Sequence, residues 1–238
     1  MVWTRPQEPS IPTVWYTFKA RDAEGDTLVK YRVEDLTDDR YEDMIKHFCE
    51  NLVGDSSFYQ SKGLSGDCRA MSEFVDIWKW CFGQKMTLVC YKEGSDEIVG
   101  ANLLYVRTSD EEEGRQFQST VVQDIMATIE YTTQQFNLFE HYKVDHYLKS
   151  SGLAISRRYR GRGIATEVLK TRVPLCKAFG IKLTATNFAS DAAQVAATIA
   201  GFETNFEVTY EDFAKMGSRY SFPGIQSKSL KLMSLRIV

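Results

Sequence analysis

"SSGLAISRRYRGRGIATEVLK", residues 150–170, runs from an apolar alternating stretch into four arginines and two glycines packed between residues 157 and 163. "HYLKSSGLAIS" reads as a strand. "GIATEVLKTRVPLCKAFG", with Ile164, Val168, Leu175 and Phe179 along one face, reads as a helix that Pro174 bends. Between them stands Arg158-x-x-Gly161-x-Gly163. Glycine opens backbone conformations closed to other residues and lets a ligand approach the main chain. The unpaired N–H groups at a helix start, with the positive end of its dipole, form an anion site. Arginines add charge-assisted hydrogen bonds. The turn is suited to phosphate, above all a pyrophosphate. A P-loop would need a different glycine spacing and a lysine. A dinucleotide fingerprint would need a third glycine where Thr166 stands, early in a βαβ series.

Outward from this turn, the chain of 238 residues is 43% hydrophobic and 26% charged with a net charge of −3, a globular composition. The acidic balance and the lack of a second basic cluster argue against nucleic acid as a partner. No window of about twenty apolar residues suggests a membrane span, and the polar start "MVWTRPQEPSIPT" does not read as a signal peptide. Five cysteines without CxxC pairing and three scattered histidines fit a reduced, cytoplasmic protein without a metal site.

Residues 1–12 read as a flexible arm and residues 13–238 as a single domain. A hairpin turns at residues 23–26. A helix over "RYEDMIKHFCENLV" follows, with Thr37 as candidate N-cap and Asp38, Asp39 and Glu42 in its first turn. A second helix, "RAMSEFVDIWKWCFG", precedes a hairpin that turns at residues 93–96. The acidic loop Glu111 to Glu113 leads into a long helix whose stripe runs from Val122 to Phe139. After the arginine–glycine turn come the strand "IKLTAT", a short helix stopped by Gly201, a strand over "FETNFEVTYEDF" and a closing strand. Mixed order of this kind implies an α+β fold around one continuous, mostly antiparallel sheet of about seven strands.

The motif, its place between strand and helix, and Gly201-Phe202 after a short helix together resemble the GNAT superfamily of N-acetyltransferases. "LTDDRYEDMIKHF", "SGLAISRRYRGRGIATEVLKTR" and "SDAAQVAATIAGFE" are similar to its insect arylalkylamine N-acetyltransferase branch, mosquito members included, from about Val29 to the C-terminus. The resemblance implies acetyl-CoA in a gap where "SSGLAIS" splays from "IKLTAT". It places pantetheine along Leu153, Ala154 and Ile155. Arg158, Tyr159, Arg160, Gly161, Arg162, Gly163, Ile164 and Ala165 would then surround the pyrophosphate. It puts Asn187 and Ser190 beside the cofactor or its thiol, although both equally suit a turn and a helix N-cap.

Acetyl transfer needs a neutral amine, a stabilised oxyanion and a proton for the departing thiolate. A backbone N–H near Leu153 or Ala154 would serve the oxyanion, and no acyl-enzyme is required. For the base, the resemblance points to Asp38, where the branch carries a glutamate, with Asp39 beside it and Glu34 the nearest glutamate. Helix capping is an equal reading for these carboxylates. Two places depart from the branch: Ser56-Ser57-Phe58 replaces a Glu-Pro-Leu, and Ala197 stands where relatives carry a tyrosine acid, leaving Ser190 as the nearby hydroxyl. The expected activity is acetyl transfer from acetyl-CoA to a small primary amine, an arylalkylamine such as dopamine, tryptamine or serotonin. The alternatives are a polyamine or protein N-terminal acetyltransferase, or an acyl-CoA-binding relative with little turnover.

Overall fold

The structure, a computed structural model, describes residues 3–110 and 115–238. The acidic loop Glu111 to Glu113 lies outside the described residues. Eight strands, one more than expected, form one open sheet: β1 (Val14–Arg21), β2 (Leu28–Asp35), β3 (Leu88–Lys92), β4 (Ile98–Thr108), β5 (His146–Ile155), β6 (Leu183–Phe188), β7 (Glu203–Thr209) and β8 (Ser229–Arg236). Their spatial order is β1-β2-β3-β4-β5-β6-β8-β7. Neighbours are antiparallel except β5 and β6, which are parallel. The helices are α1 (Tyr41–Phe48), α2 (Ser57–Ser61), α3 (Cys68–Gly83), α4 (Thr120–Gln134), α5 (Leu138–Tyr142), α6 (Ile164–Lys170), α7 (Arg172–Ala178), α8 (Asp191–Ile199) and α9 (Tyr210–Lys215). Since parallel strands need a crossover, α6 and α7 lie over one face of the sheet between β5 and β6.

On that face Ile164, Val168, Leu175 and Cys176 pack on Tyr31, Val33, Leu104 and Leu148. On the other, Phe48, Phe74, Trp78 and Ile125 from α1, α3 and α4 pack on Leu103 and Ala154. The sheet is therefore covered on both sides near β4 and β5, and β4 is buried over most of its length. No helix among the described residues is long and apolar enough to cross a membrane.

Several elements differ from their sequence-based expectation. Residues 38–53 are not one regular helix: a 3₁₀ turn (Asp38–Arg40) precedes α1, and a π turn (Cys49–Val53) ends it. Thr37 makes no side-chain cap there. The long helix stops at Gln134, because Asn137 accepts from Glu140 N and starts α5 afresh. Phe136 and Phe139 accordingly leave the expected stripe and pack near Tyr147 and Leu183. The strand expected over residues 202–213 ends at Thr209, whose Oγ1 accepts from Asp212 N and caps α9. Helix α6 breaks at Thr171, where Pro174 has no N–H to give to the Lys170 carbonyl.

The segment read as a flexible arm is anchored. Arg5 is buried and donates to Asp35 Oδ1 at 2.7 Å and Oδ2 at 3.0 Å, while Trp15 Nε1 donates to the same carboxylate at 2.8 Å. Trp3 meets Phe179 edge-on, and the Arg5 guanidinium lies 4.8 Å from the same ring. Composition suggested a loose terminus; one buried ion pair and an aromatic contact hold it.

Candidate active site

Strands β5 and β6 pair only at Leu148↔Thr184 and Lys149↔Ala185. Beyond that point β5 stays with β4 as far as Ile155↔Gly100, and β6 stays with β8 as far as Phe188↔Lys231. The two strands thus part into a V. On β5 the register passes from Leu104↔Ser150 to Leu103↔Gly152, so Ser151 is an extra residue in a bulge at the root of the V. A bulge turns backbone groups out of the ladder, where a ligand can pair with them.

A cavity of about 160 Å³ opens at this gap. Its β5 wall is Lys149 to Leu153 and its β6 wall is Thr186 to Phe188, followed by Ala189 and Ser190. Phe58 and Tyr59 of α2, Phe74, Tyr105, Met126 and Ile129 close the far side. Neither Asp, Glu nor His is among the lining residues.

At the end of β5 the arginine–glycine turn forms as its glycines require. Gly161 and Gly163 have φ of +71° and +77°, and nothing lies within 4 Å of where a Cβ would stand on either. The turn therefore presents bare, left-handed backbone to open space at the N-terminus of α6, whose first N–H groups have no partner within the helix. The arginines mostly hold this turn in shape. Arg162 donates to the Asp22 carbonyl at 2.6 Å and to the Ala23 carbonyl at 2.7 Å. Arg160 donates to the Ile155 carbonyl at 2.8 Å and to Asp55 Oδ2 at 2.6 Å, and Arg157 pairs with the same carboxylate. Hydrogen bonds from Arg157, then from Arg160, hold the Asp55 carboxyl below its ordinary pKa. Arg158 lies 3.5 Å from Glu97, which also accepts from the Tyr159 hydroxyl. Tyr159 itself is buried and is part of the core rather than of the open turn.

The residues present fit acetyl-CoA. Asn187 Nδ2 donates to Thr133 Oγ1 at 2.8 Å, whose own hydroxyl donates to the Ile129 carbonyl, so the assignment of the amide is fixed by its neighbours. Its Oδ1 is buried without a partner in the cavity wall, an acceptor awaiting a donor. Ser190 Oγ accepts from Ala193 N and caps α8 while also lining the cavity. The cap expected of it and a place in the cavity wall thus coexist in one side chain.

Leu153, Asn187 and Ser190 thus meet at the gap, with Ala154 and Ile155 following in the same strand. Asp38 and Glu34 do not line the cavity. Asp38 is largely exposed, pairs with Lys85, and is held below its ordinary pKa by hydrogen bonds from Lys85 and then Tyr41. Glu34 pairs with Arg32 at 2.9 Å. Strand alternation and the 3₁₀ turn commit both carboxylates to cations of their own. Sequence reasoning missed Asp55, Tyr59 and Asn102, which depend on contacts across the fold. It also missed Arg172, although that residue interrupts the inward stripe Ile164, Val168, Leu175 and could have been found there.

The acetyltransferase (GNAT) family profile matches residues 57–202. A structure assigned as insect arylalkylamine N-acetyltransferase 7 of the yellow fever mosquito Aedes aegypti is 46% identical, covers 99% of this chain and 100% of its own, and superposes with a TM-score of 0.96. Arylalkylamine N-acetyltransferase 2 of Aedes aegypti (19% identity, 87% and 99% covered, TM-score 0.79) shares the fold. So does Drosophila melanogaster polyamine N-acetyltransferase (14%, 87% and 100%, TM-score 0.72). A search of curated proteins returns no match.

Proposed function

The chain belongs to the acetyltransferase (GNAT) family, and from that premise we propose that residues 13–238 act as one domain that acetylates the primary amine of an arylalkylamine. The observation that carries the acceptor class is the cavity wall: Phe58, Tyr59, Phe74, Tyr105, Met126 and Ile129 offer aromatic and apolar surface, and no carboxylate faces it. A ring of the dopamine, tryptamine or serotonin type suits such a wall. A polyamine would leave several ammonium groups without counter-ions beside Lys149. The assignment of the 46% identical mosquito protein supports the same class. Five free cysteines, three of them buried, support a reducing, cytoplasmic setting.

When bound, acetyl-CoA supplies the acetyl group as a thioester. In this reading the backbone of Arg158 to Ala165 holds the pyrophosphate, Leu153 to Ile155 pair with the pantetheine arm, and Asn187 Oδ1 accepts from one of its amides. The amine nitrogen forms its bond to the acetyl carbon while an N–H of Leu153 or Ala154 faces the carbonyl oxygen. The carbon–sulfur bond breaks with its electron pair left on sulfur, and the proton lost by nitrogen balances the one gained by the thiol. Ser190, whose oxygen accepts from Ala193 N, would keep its own proton to give toward sulfur and take one back from the water that receives the amine proton. Asp38 and Glu34 lie in ion pairs away from the cavity wall, so the amine proton leaves to water.

Thiol release from acetyl-CoA, measured against arylalkylamines, polyamines and short peptides, tests the reading. Turnover confined to arylalkylamines is the expected result. Turnover of polyamines alone would overturn the acceptor class. Silence with every amine, while acetyl-CoA still raises the melting temperature, would identify a binding relative without the chemistry.

A further inference from the structure

Arg172 opens α7 and is completely buried, yet none of its hydrogen-bond partners is a carboxylate. Its Nε donates to Asn102 Oδ1 at 2.8 Å, and its Nη1 donates to Thr186 Oγ1 at 2.8 Å and Thr184 Oγ1 at 3.2 Å. Nη2 has no partner. The guanidinium lies 5.4 Å from the Phe202 ring. Burial lowers its pKa to about 9, so it remains a cation at neutral pH. The titratable group beside it is the Cys176 thiol one turn along α7, pushed up to about 12 by its own burial and hence neutral. From β4 and β6 it meets Asn102, Thr184 and Thr186, and from the residue before β7 the Phe202 ring, none of which titrates.

A buried cation without a counter-ion is costly, and an apolar residue of similar volume would spare that cost. Its placement suggests what offsets it. Asn102 Nδ2 donates to Ser150 Oγ at 2.8 Å and to the Gly152 carbonyl at 2.7 Å, the two residues that flank the β5 bulge. Thr186 belongs to the opposite wall. Arg172 therefore reaches both walls of the V where the strands part, through Asn102 on the β5 side and Thr186 on the β6 side.

We propose that Arg172 is a positioning residue for acetyl transfer, whose uncompensated charge behind the cleft favours negative charge on the carbonyl oxygen and departing sulfur and disfavours the ammonium form of the acceptor. This rests on the N-acetyltransferase reading above. It also accounts for a cavity wall without a carboxylate: the field of the site, rather than a base in contact, favours the amine that can attack. A unit charge about 12 Å away, at an effective dielectric of about 20, shifts a neighbouring titration by about one pH unit.

The test uses the full chain with bound CoA. Ultraviolet titration of the bound thiol in the wild type is expected to give a pKa about one unit below that of free CoA. Arg172→Gln should return it to the free value, and Arg172→Lys should keep it low. In steady-state assays the acid limb of kcat should move up by about one pH unit in Arg172→Gln, with KM for acetyl-CoA held within about twofold. A wild-type bound thiol that titrates at or above free CoA overturns the proposal, and that measurement does not depend on any variant folding. An unshifted titration and limb in folded Arg172→Gln overturn it equally. A lowered thiol pKa without acetylation of any amine would overturn the reading of the function, and with it the role in acetyl transfer, while the effect of the Arg172 charge on the bound thiol would stand.

Discussion

Gly161 has a φ of +71° with open space where a side chain would stand, so its conformation and not crowding demands glycine. In Gly161→Asp the left-handed backbone should cost about 1 kcal/mol, and a carboxylate would enter the open space where phosphate is proposed to sit. The expected outcome is a folded protein whose melting temperature no longer rises with acetyl-CoA. Normal acetyl-CoA stabilisation in that variant would remove the phosphate cradle from the turn. Asp38→Asn tests the opposite kind of residue, one singled out by its motif position but committed to Lys85. Its pH–rate profile should match the wild type within about twofold at every pH. A loss that is deep at neutral pH and recovers at high pH would restore Asp38 as the base. The glycines were legible because a positive φ writes itself into composition. The partners of the arginines were not, because Asp55, Glu97 and the Asp22 carbonyl come from distant parts of the chain.

Helix α1 places His47 beneath β5, with Nε2 donating to the Ala154 carbonyl at 3.3 Å and Asn51 Nδ2 lying 3.4 Å from Nδ1. Burial lowers the pKa of His47 below 6.5. The unfolded chain then binds more protons than the folded one as pH falls through 6.5 toward the lowered value, and stability drops across that window. His47→Gln should flatten the slope of melting temperature between about pH 6.5 and 5, while the wild type declines. Equal slopes would mean that another group governs the acid response. The π turn that ends α1 brings Leu52 Cδ2 to 2.8 Å from where a Cβ of Gly152, beside the bulge, would stand, so a larger residue there would displace the Leu52 side chain. A pattern of apolar spacing finds the helix but not such a turn, which packs beside the bulge. For the same reason α2, which carries Phe58 and Tyr59 to the cavity, had no signature in five residues.

Across the molecule, the sheet ties the two ends of the chain to the site. Strand β8 from the C-terminal segment holds β6 in place while β5 leaves it, and the N-terminal segment anchors beside β2 through Arg5 and Asp35. Asp35 is buried, so Arg5→Ala would leave a carboxylate without its cation in the interior. A loss of about 3 kcal/mol in urea denaturation is expected, with acetyl-CoA affinity unchanged. A loss under about 1 kcal/mol would mean that Trp15 and Thr13 satisfy the carboxylate alone.

The resemblance to the N-acetyltransferases, not any local pattern, pointed to Leu153, Asn187 and Ser190 as one site, and all three line one cavity. Local patterns carried the α+β class, the order of elements along the chain and the arginine–glycine turn before α6. These follow from backbone chemistry: periodicity, positive φ and helix starts depend on neighbours a few residues apart. The parting of β5 from β6, the bulge at Ser151, the aromatic wall and the separation of Asp38 from the cavity needed the assembled fold. So did the isolation of Arg172, because whether a cation has a counter-ion depends on what β4, β6 and Phe202 bring to it. Charge and shape in a cleft are sums over distant segments, and only folding performs that sum.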